Sequence, residues 1–149
     1  MARIDRSRLD GAAFPTSMTV ATRFSDIDVL GHVNNAAAAI LLQEARGGLN
    51  PQAASISDLR DGLRTVVASL TIEYAGEMHY PAPVVIETGV LSVGRTSLVV
   101  GQVCRQHGRI TLYAETVLVM TDGKRPTLIP DSSRAAYERA LIRPAQVVA

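Results

Sequence analysis

Reactive sulfur is almost absent from this sequence, because Cys104 is its only cysteine. A single cysteine excludes a disulfide within the chain. Cys104 lies in a stretch that is typical of a β-strand, where a lone cysteine usually acts as a small buried hydrophobic side chain. No histidine motif is evidently paired with it, so a catalytic thiol is not expected.

Cationic clusters are also absent. The formal net charge is +1, and Lys124 is the only lysine, so the other cations are all arginine. Without a basic block, the sequence gives no indication of a nucleic-acid partner. Individual arginines could still bind the phosphates of a ligand through their forked guanidinium groups.

Long apolar runs are the third absence. No run reaches the roughly 18 residues that cross a bilayer. Residues 1–17 alternate charged with small side chains and lack the apolar stretch of a signal peptide. We therefore expect a cytoplasmic protein with no membrane partner, in which residues 1–17 form a flexible segment and residues 18–149 a single domain. The hydrophobic content of 47% is ample for a core.

A helix of small and apolar residues is predicted after a polar loop. Either Asn34 or Asn35 can cap its N-terminus, and the pair Gly47-Gly48 ends it about three turns later. Its first two turns, which begin with four alanines, have no polar face. A helix of this kind belongs in a core, so we expect other elements to enclose it.

Alternating polar and apolar residues predict five strands around this helix. They are expected at residues 18–24, 63–74, 83–94, 97–107 and 109–121. Short glycine-containing links between the last three strands favour antiparallel hairpins. Residues 49–62 are interpreted as a loop, and a modest helix is expected near residues 132–142. This order indicates an α+β domain with the helix on one face of the sheet, and its exposed sheet edges favour an oligomer.

The polar loop and the helix also carry a recognisable motif. Residues 23–36 read RFSDIDVLGHVNNA, and the tripeptide EAR follows at residues 44–46. This combination resembles the signature of hotdog-fold acyl-CoA thioesterases of the 4-hydroxybenzoyl-CoA thioesterase type, in which a strand leads through D-x-D-x-x-G-H-V-N-N into a helix. The resemblance covers about residues 18–132 in order.

The resemblance implies a hotdog fold, in which a curled antiparallel sheet of five or six strands wraps a long central helix. Family members join edge to edge with active sites at the interface, so a homodimer or homotetramer is expected. The implied activity is hydrolysis of acyl-CoA thioesters, with coenzyme A as part of the substrate and no other cofactor. Residues 37–39 are alanines where the family usually has an aromatic side chain, which predicts a wider or differently shaped acyl pocket.

The family motif also assigns roles to residues around the start of the helix. The catalytic carboxylate matches Asp28, and the amide that faces the thioester oxygen matches Asn35. The chemistry agrees, because the unpaired N–H groups and the dipole of a helix N-terminus favour a developing anion. Asp28 could activate a water or attack the thioester itself. Gly31 would permit the tight bend that lets the acyl group approach the backbone.

The polar residues of the motif have structural interpretations as well. Asp28 could simply form an Asx turn, and Asp26 is expected to accept hydrogen bonds from loop amides. His32 either shapes the loop or supports catalysis, for example by holding the attacking water. Asn34 either orients a water or His32, or serves only as the helix cap. Glu44, well away along the helix, is assigned a structural role.

A metal site is not predicted. Asp26, Asp28 and His32 could supply ligands, but their spacing matches no metal-binding motif. The other two histidines, His79 and His107, belong to different strands or turns.

The carrier part of the substrate has its own candidate residues. In the family the nucleotide of coenzyme A lies near the surface at subunit boundaries, which favours the hairpin turn Arg95, Thr96 and Ser97. An ordinary solvated turn is the alternative interpretation. Two other functions stay open, namely a thioesterase acting on acyl carrier protein and an acyl-CoA binding module without turnover.

Overall fold

Five antiparallel strands and a helix packed on one face of their sheet position every candidate residue. The computed structural model describes residues 3–49 and 62–145. The elements are β1 (Thr16–Val20), α1 (Asn35–Gly47), β2 (Arg64–Tyr74), β3 (Val84–Val93), β4 (Ser97–Gln106), β5 (Arg109–Thr121) and α2 (Asp131–Arg139). Short 3₁₀ turns occupy Arg6–Arg8 and Phe24–Asp26. Within the described ranges, no helix has the length and apolar character needed to cross a bilayer.

The strands form one open sheet in the order β1-β3-β4-β5-β2, and every neighbouring pair is antiparallel. The predicted α+β class and the predicted hairpins β3-β4 and β4-β5 are therefore confirmed. The four longer strands lie within one residue of their predicted bounds, because their alternating patterns are long and strong. The loop predicted at residues 49–62 lies almost wholly outside the described residues.

The core lies between α1 and the sheet. The buried helix residues follow helical spacing: Ala37, Ala38, Leu41, Leu42 and Ala45. Ile40, on the other side of α1, is 53% exposed because the open sheet covers only one face of the helix in a single chain. Cys104 is buried against this core, and burial raises the pKa of its thiol to about 12, which confirms the predicted hydrophobic role.

Strand β2 forms one edge of the sheet and is exposed along most of its length. Val67 is 52% exposed and Tyr74 is 46% exposed, although both are large side chains. Beyond Val67 the register with β5 shifts, so the alternation of the strand is interrupted there. Among the described residues, no strand pairs with the outer side of β2. An exposed edge of this kind is the reason why an oligomer is expected, and the oligomeric state stays a prediction.

The first strand differs from the sequence prediction of residues 18–24. Its ladder with β3 runs from Thr16 to Val20 and then ends. Farther along, the Arg23 N–H donates to a carboxylate oxygen of Asp26 (2.8 Å), so the backbone at Arg23 belongs to the loop and not to the predicted strand. The C-terminal helix is likewise shorter than predicted and ends at Arg139.

The segment before β1 packs on the sheet, in contrast to the flexible segment that the sequence predicts. Leu9 is fully buried in a cluster with Ile4, Val103 and Tyr113. The carboxylate of Glu73 on β2 accepts from the Ile4 N–H (3.0 Å) and from the Arg6 side chain (2.9 Å). Two anchors, one apolar and one ionic, therefore hold these residues to the fold.

We expect Leu9→Ala to lower the free energy of unfolding by about 2–5 kcal/mol, because it removes a fully buried side chain. The matched variant Ser7→Ala, in the same turn but exposed, should change it by less than about 0.5 kcal/mol. Urea unfolding of both variants measures the difference. Equal, small effects would mean that the segment does not contribute to stability.

Candidate active site

A cavity of about 310 Å³ opens at the N-terminal end of α1. One wall comes from the loop and helix start, and the other from the end of β2 and the segment after it. The lining residues are Asp28, Leu30, His32, Val33, Asn35, Tyr74, Gly76, Glu77 and Met78. Three residues of the family motif with predicted roles thus meet in one concave site.

The loop that presents Asp28 is a tight backbone turn. The Asp28 N–H donates to the His32 carbonyl (2.9 Å), and the Gly31 N–H donates to the Asp28 carbonyl (3.0 Å). Gly31 has φ +83°, in the left-handed region that other residues rarely adopt, while the space beside it is open. The glycine is therefore needed for the backbone conformation, which is the bend expected from the sequence.

The two oxygens of the Asp28 carboxylate have different environments. Oδ1 accepts hydrogen bonds from the N–H groups of Leu30 (2.9 Å) and His32 (3.3 Å). For Oδ2, no donor lies within hydrogen-bond distance among the described residues. One oxygen holds the loop, as the Asx-turn interpretation expected, and the other is left for a ligand or a water.

Asn34 is the residue that caps α1. Its Oδ1 accepts from the Ala37 N–H (2.8 Å), and its carbonyl accepts from the Ala38 N–H (2.9 Å). Asn35 is therefore the first helical residue. In the described part of the chain, the N–H groups of Asn35 and Ala36 have no acceptor, as is usual for a first turn. The cap fixes where these free donors lie.

Asp26 is a structural residue of the loop. Its carboxylate is 2% exposed and accepts from the Arg23 backbone N–H (2.8 Å) and from the Arg23 guanidinium (2.8 Å). The hydrogen bond from the Arg23 side chain holds the pKa of Asp26 below its ordinary value. The Asp26 carbonyl also accepts from the Asn34 N–H (2.8 Å), which ties the loop to the helix cap.

His32 has partners that the sequence did not reveal. Its Nε2 lies 3.1 Å from Oε2 of Glu77, and Nε2 of His79 lies 3.4 Å from the same oxygen. The two imidazole rings are nearly perpendicular, with centroids 5.1 Å apart. Glu77 and His79 flank the buried Met78, a spacing that puts both side chains on the same side of an extended segment. That spacing was visible in the sequence, but nothing local connected it with His32.

The turn of Arg95, Thr96 and Ser97 lies at the other end of the sheet. In the β4-β5 ladder Ser97 pairs with Val119, whereas Gln106 pairs with Arg109 beside the segment after β2. The length of β4, roughly 30 Å at 3.3 Å a residue, separates the turn from the cavity. Within one chain, the turn does not meet Asp28, and its binding role stays a prediction.

Comparison with known proteins gives a consistent result. Residues 22–137 match the family described as the thioesterase-like superfamily. A thioesterase from Thermus thermophilus, complexed with coenzyme A and Zn, is 30% identical with a TM-score of 0.75, and the match covers 84% of this chain and 98% of that one. No curated protein sequence matches.

Two further solved structures extend the likeness. A predicted thioesterase from Bacillus stearothermophilus is 26% identical with a TM-score of 0.76, and the match covers 86% of this chain and 97% of that one. A DHNA-CoA thioesterase from Staphylococcus aureus shares the fold at 18% identity, with a TM-score of 0.72 and coverage of 83% and 89%. The predicted hotdog fold is confirmed.

We expect Asp26→Asn to remove an acid-dependent part of the stability. Because the folded-state pKa of Asp26 is lowered, its ionised form stabilises the fold above the unfolded-state pKa of about 3.9, and this contribution is lost as the pH falls through the folded-state value. The difference in unfolding free energy between wild type and variant should stay constant from pH 7 to about 5 and shrink below about 4. Urea unfolding at each pH measures it.

The variant Arg23→Gln, which removes the other partner, should weaken the same acid dependence. A wild-type minus Asp26→Asn difference that stays unchanged down to about pH 2.5 would contradict the stabilising role of this pair.

Proposed function

This chain belongs to the thioesterase-like superfamily, and from that premise we propose that it hydrolyses acyl-CoA thioesters at the cavity beside Asp28. The observation that carries the proposal is the convergence of Asp28 and Asn35 on that one cavity of about 310 Å³. An anionic oxygen and unpaired backbone donors are the two groups that hydrolysis of a thioester requires.

Each of these two groups has its own part in the reaction. The thioester carbonyl oxygen binds at the first turn of α1, where the free Asn35 N–H and the helix dipole stabilise the charge that develops on it. Oδ2 of Asp28 faces the carbonyl carbon, directly or through a water. Oδ1 is held by two backbone N–H groups, so the carboxylate is oriented before the substrate arrives.

Two mechanisms are compatible with this arrangement. In the first, Asp28 takes a proton from water, the new C–O bond forms, the C–S bond breaks, and the proton passes to the departing sulfur. In the second, Oδ2 attacks the carbon and the C–S bond breaks to release the thiolate. Water then adds to the mixed anhydride, which restores the Asp28 carboxylate and releases the acyl group as the free acid, and the proton set free passes to the thiolate. Both routes need the same carboxylate and the same oxyanion donor.

The carrier is proposed to be coenzyme A. The Thermus thermophilus relative, 30% identical, is complexed with coenzyme A, which supports this choice over acyl carrier protein. Because the turn of Arg95, Thr96 and Ser97 lies one strand length from Asp28, a second copy of the chain would have to bring its own turn to a nucleotide bound at this cavity. The exposed edge β2 offers a surface for such pairing.

We expect Asp28→Asn to lower kcat about 10²–10⁴-fold on acyl-CoA substrates, measured with a thiol reagent over a panel of acyl chains. The amide keeps an oxygen that can accept the Leu30 and His32 N–H bonds, so the loop should stay intact and the melting temperature should change little. Asp28→Ala removes both the reactive carboxylate and the acceptor of the two loop N–H groups, so it should also lower the melting temperature.

Unchanged turnover of a folded Asp28→Asn variant would remove Asp28 from the mechanism. Absence of turnover by the wild type on every acyl-CoA and acyl carrier protein thioester, with retained binding, would favour the binding module instead.

We expect Arg95→Ala to raise KM for an acyl-CoA about 3–10-fold while leaving kcat unchanged, because a contact with the nucleotide is made equally in the ground and transition states. The matched substrate is the N-acetylcysteamine thioester of the same acyl group, which lacks the nucleotide and should show no change. Arg125→Ala, another exposed arginine, serves as the control variant. Equal effects on both substrates would contradict a nucleotide contact.

A further inference from the structure

Three side chains of types that can ligate a metal meet beside the Asp28 cavity, and two of them, His32 and Glu77, line it. The donor atoms of His32, Glu77 and His79 all lie within 4.8 Å of one another. Both histidines direct Nε2 at the same carboxylate oxygen, at 3.1 Å and 3.4 Å. Among the described residues, these two histidines are also the only ion-pair partners of Glu77, so no arginine neutralises it.

The backbone holds these three side chains together. The Val33 N–H donates to the Met78 carbonyl (2.8 Å), which joins the residue after His32 to the residue between Glu77 and His79. Val33 and Met78 are both buried, so their neighbours are directed away from the core. This main-chain contact therefore brings the backbone segments that carry the three side chains next to each other.

Gln106 holds the backbone of His79 in place. This buried side chain accepts from the His79 N–H (2.8 Å) and donates to the His79 carbonyl (2.8 Å) and the Ala82 carbonyl (2.8 Å). These contacts hold the backbone at His79, and so the position from which its imidazole extends.

The donor set matches a particular class of ion. Two imidazole nitrogens and one carboxylate oxygen are typical zinc ligands, and three protein ligands leave a position open for water. Tetrahedral zinc with bonds of about 2.0–2.1 Å places neighbouring ligand atoms about 3.3 Å apart. The distances of 3.1 Å and 3.4 Å agree with that spacing. The side chains of His32, His79 and Glu77 are 30%, 52% and 61% exposed, so an ion can enter from solvent.

We propose that His32, Glu77 and His79 form a three-ligand site for zinc or a similar divalent transition-metal ion. The three residues considered from the sequence, Asp26, Asp28 and His32, are a different set. Asp26 is not a ligand here, because its carboxylate is paired with Arg23. Two of the three proposed ligands, His32 and Glu77, also line the cavity that Asp28 lines.

The test uses full-length protein without a histidine tag, treated with chelator and then dialysed. Isothermal titration with ZnCl₂ should give one site per chain, and Co²⁺ should produce the strong visible absorption of a tetrahedral complex. Glu77→Gln and His79→Asn should each weaken zinc binding about 100-fold or more, because changes of supporting residues alone cost 10–100-fold.

The third histidine gives a matched control. His107 lies in the β4-β5 turn, outside the cluster, with φ 53°, a conformation that asparagine tolerates. His107→Asn should therefore bind zinc like the wild type. Circular dichroism melts of the metal-free variants check that each one folds.

Either of two results would overturn the proposal: no stoichiometric zinc binding by the wild type, or folded Glu77→Gln and His79→Asn variants that bind as well as His107→Asn. The measurement records binding and not turnover. A protein that binds zinc here but cleaves no thioester would contradict the function proposed above and leave this site standing.

Discussion

One backbone hydrogen bond, from the Val33 N–H to the Met78 carbonyl (2.8 Å), joins the two halves of the candidate site. It connects the loop before α1 with the segment after β2, which are distant in the sequence. Both residues bury their side chains in the same core cluster as the helix. Core packing thus fixes the bond, and the bond fixes which polar side chains meet at the surface.

The loop around this bond is ordered by three acceptors with separate tasks. Asp26 binds Arg23, Oδ1 of Asp28 closes the turn, and Oδ1 of Asn34 caps α1. Each uses part of its hydrogen-bonding capacity to organise the backbone. What is left over, an aspartate oxygen and the first amides of the helix, belongs to residues at the cavity, since Asp28 and Asn35 both line it. Such groups cost little reorganisation during a reaction because the fold has already oriented them.

Much of this arrangement could be predicted from the sequence, because long patterns carry strong signals. The bounds of α1 and of the four long strands follow from their spacing, and the motif placed Asp28 and Asn35 at one helix start. The features that could not be predicted depend on individual contacts that leave no pattern in the sequence. The loop after β1 is held by the contact between Arg23 and Asp26, and Leu9 is a lone apolar residue without periodicity. Glu77 and His79 join His32 only through tertiary structure.

Tyr74 belongs to two features at once, since it is the last residue of the exposed edge strand β2 and part of the cavity wall. A strand that added to this edge would lie next to a residue of that wall. In an assembly built through this edge, a substitution at position 74 would act on the pairing of the chains and on the shape of the cavity together.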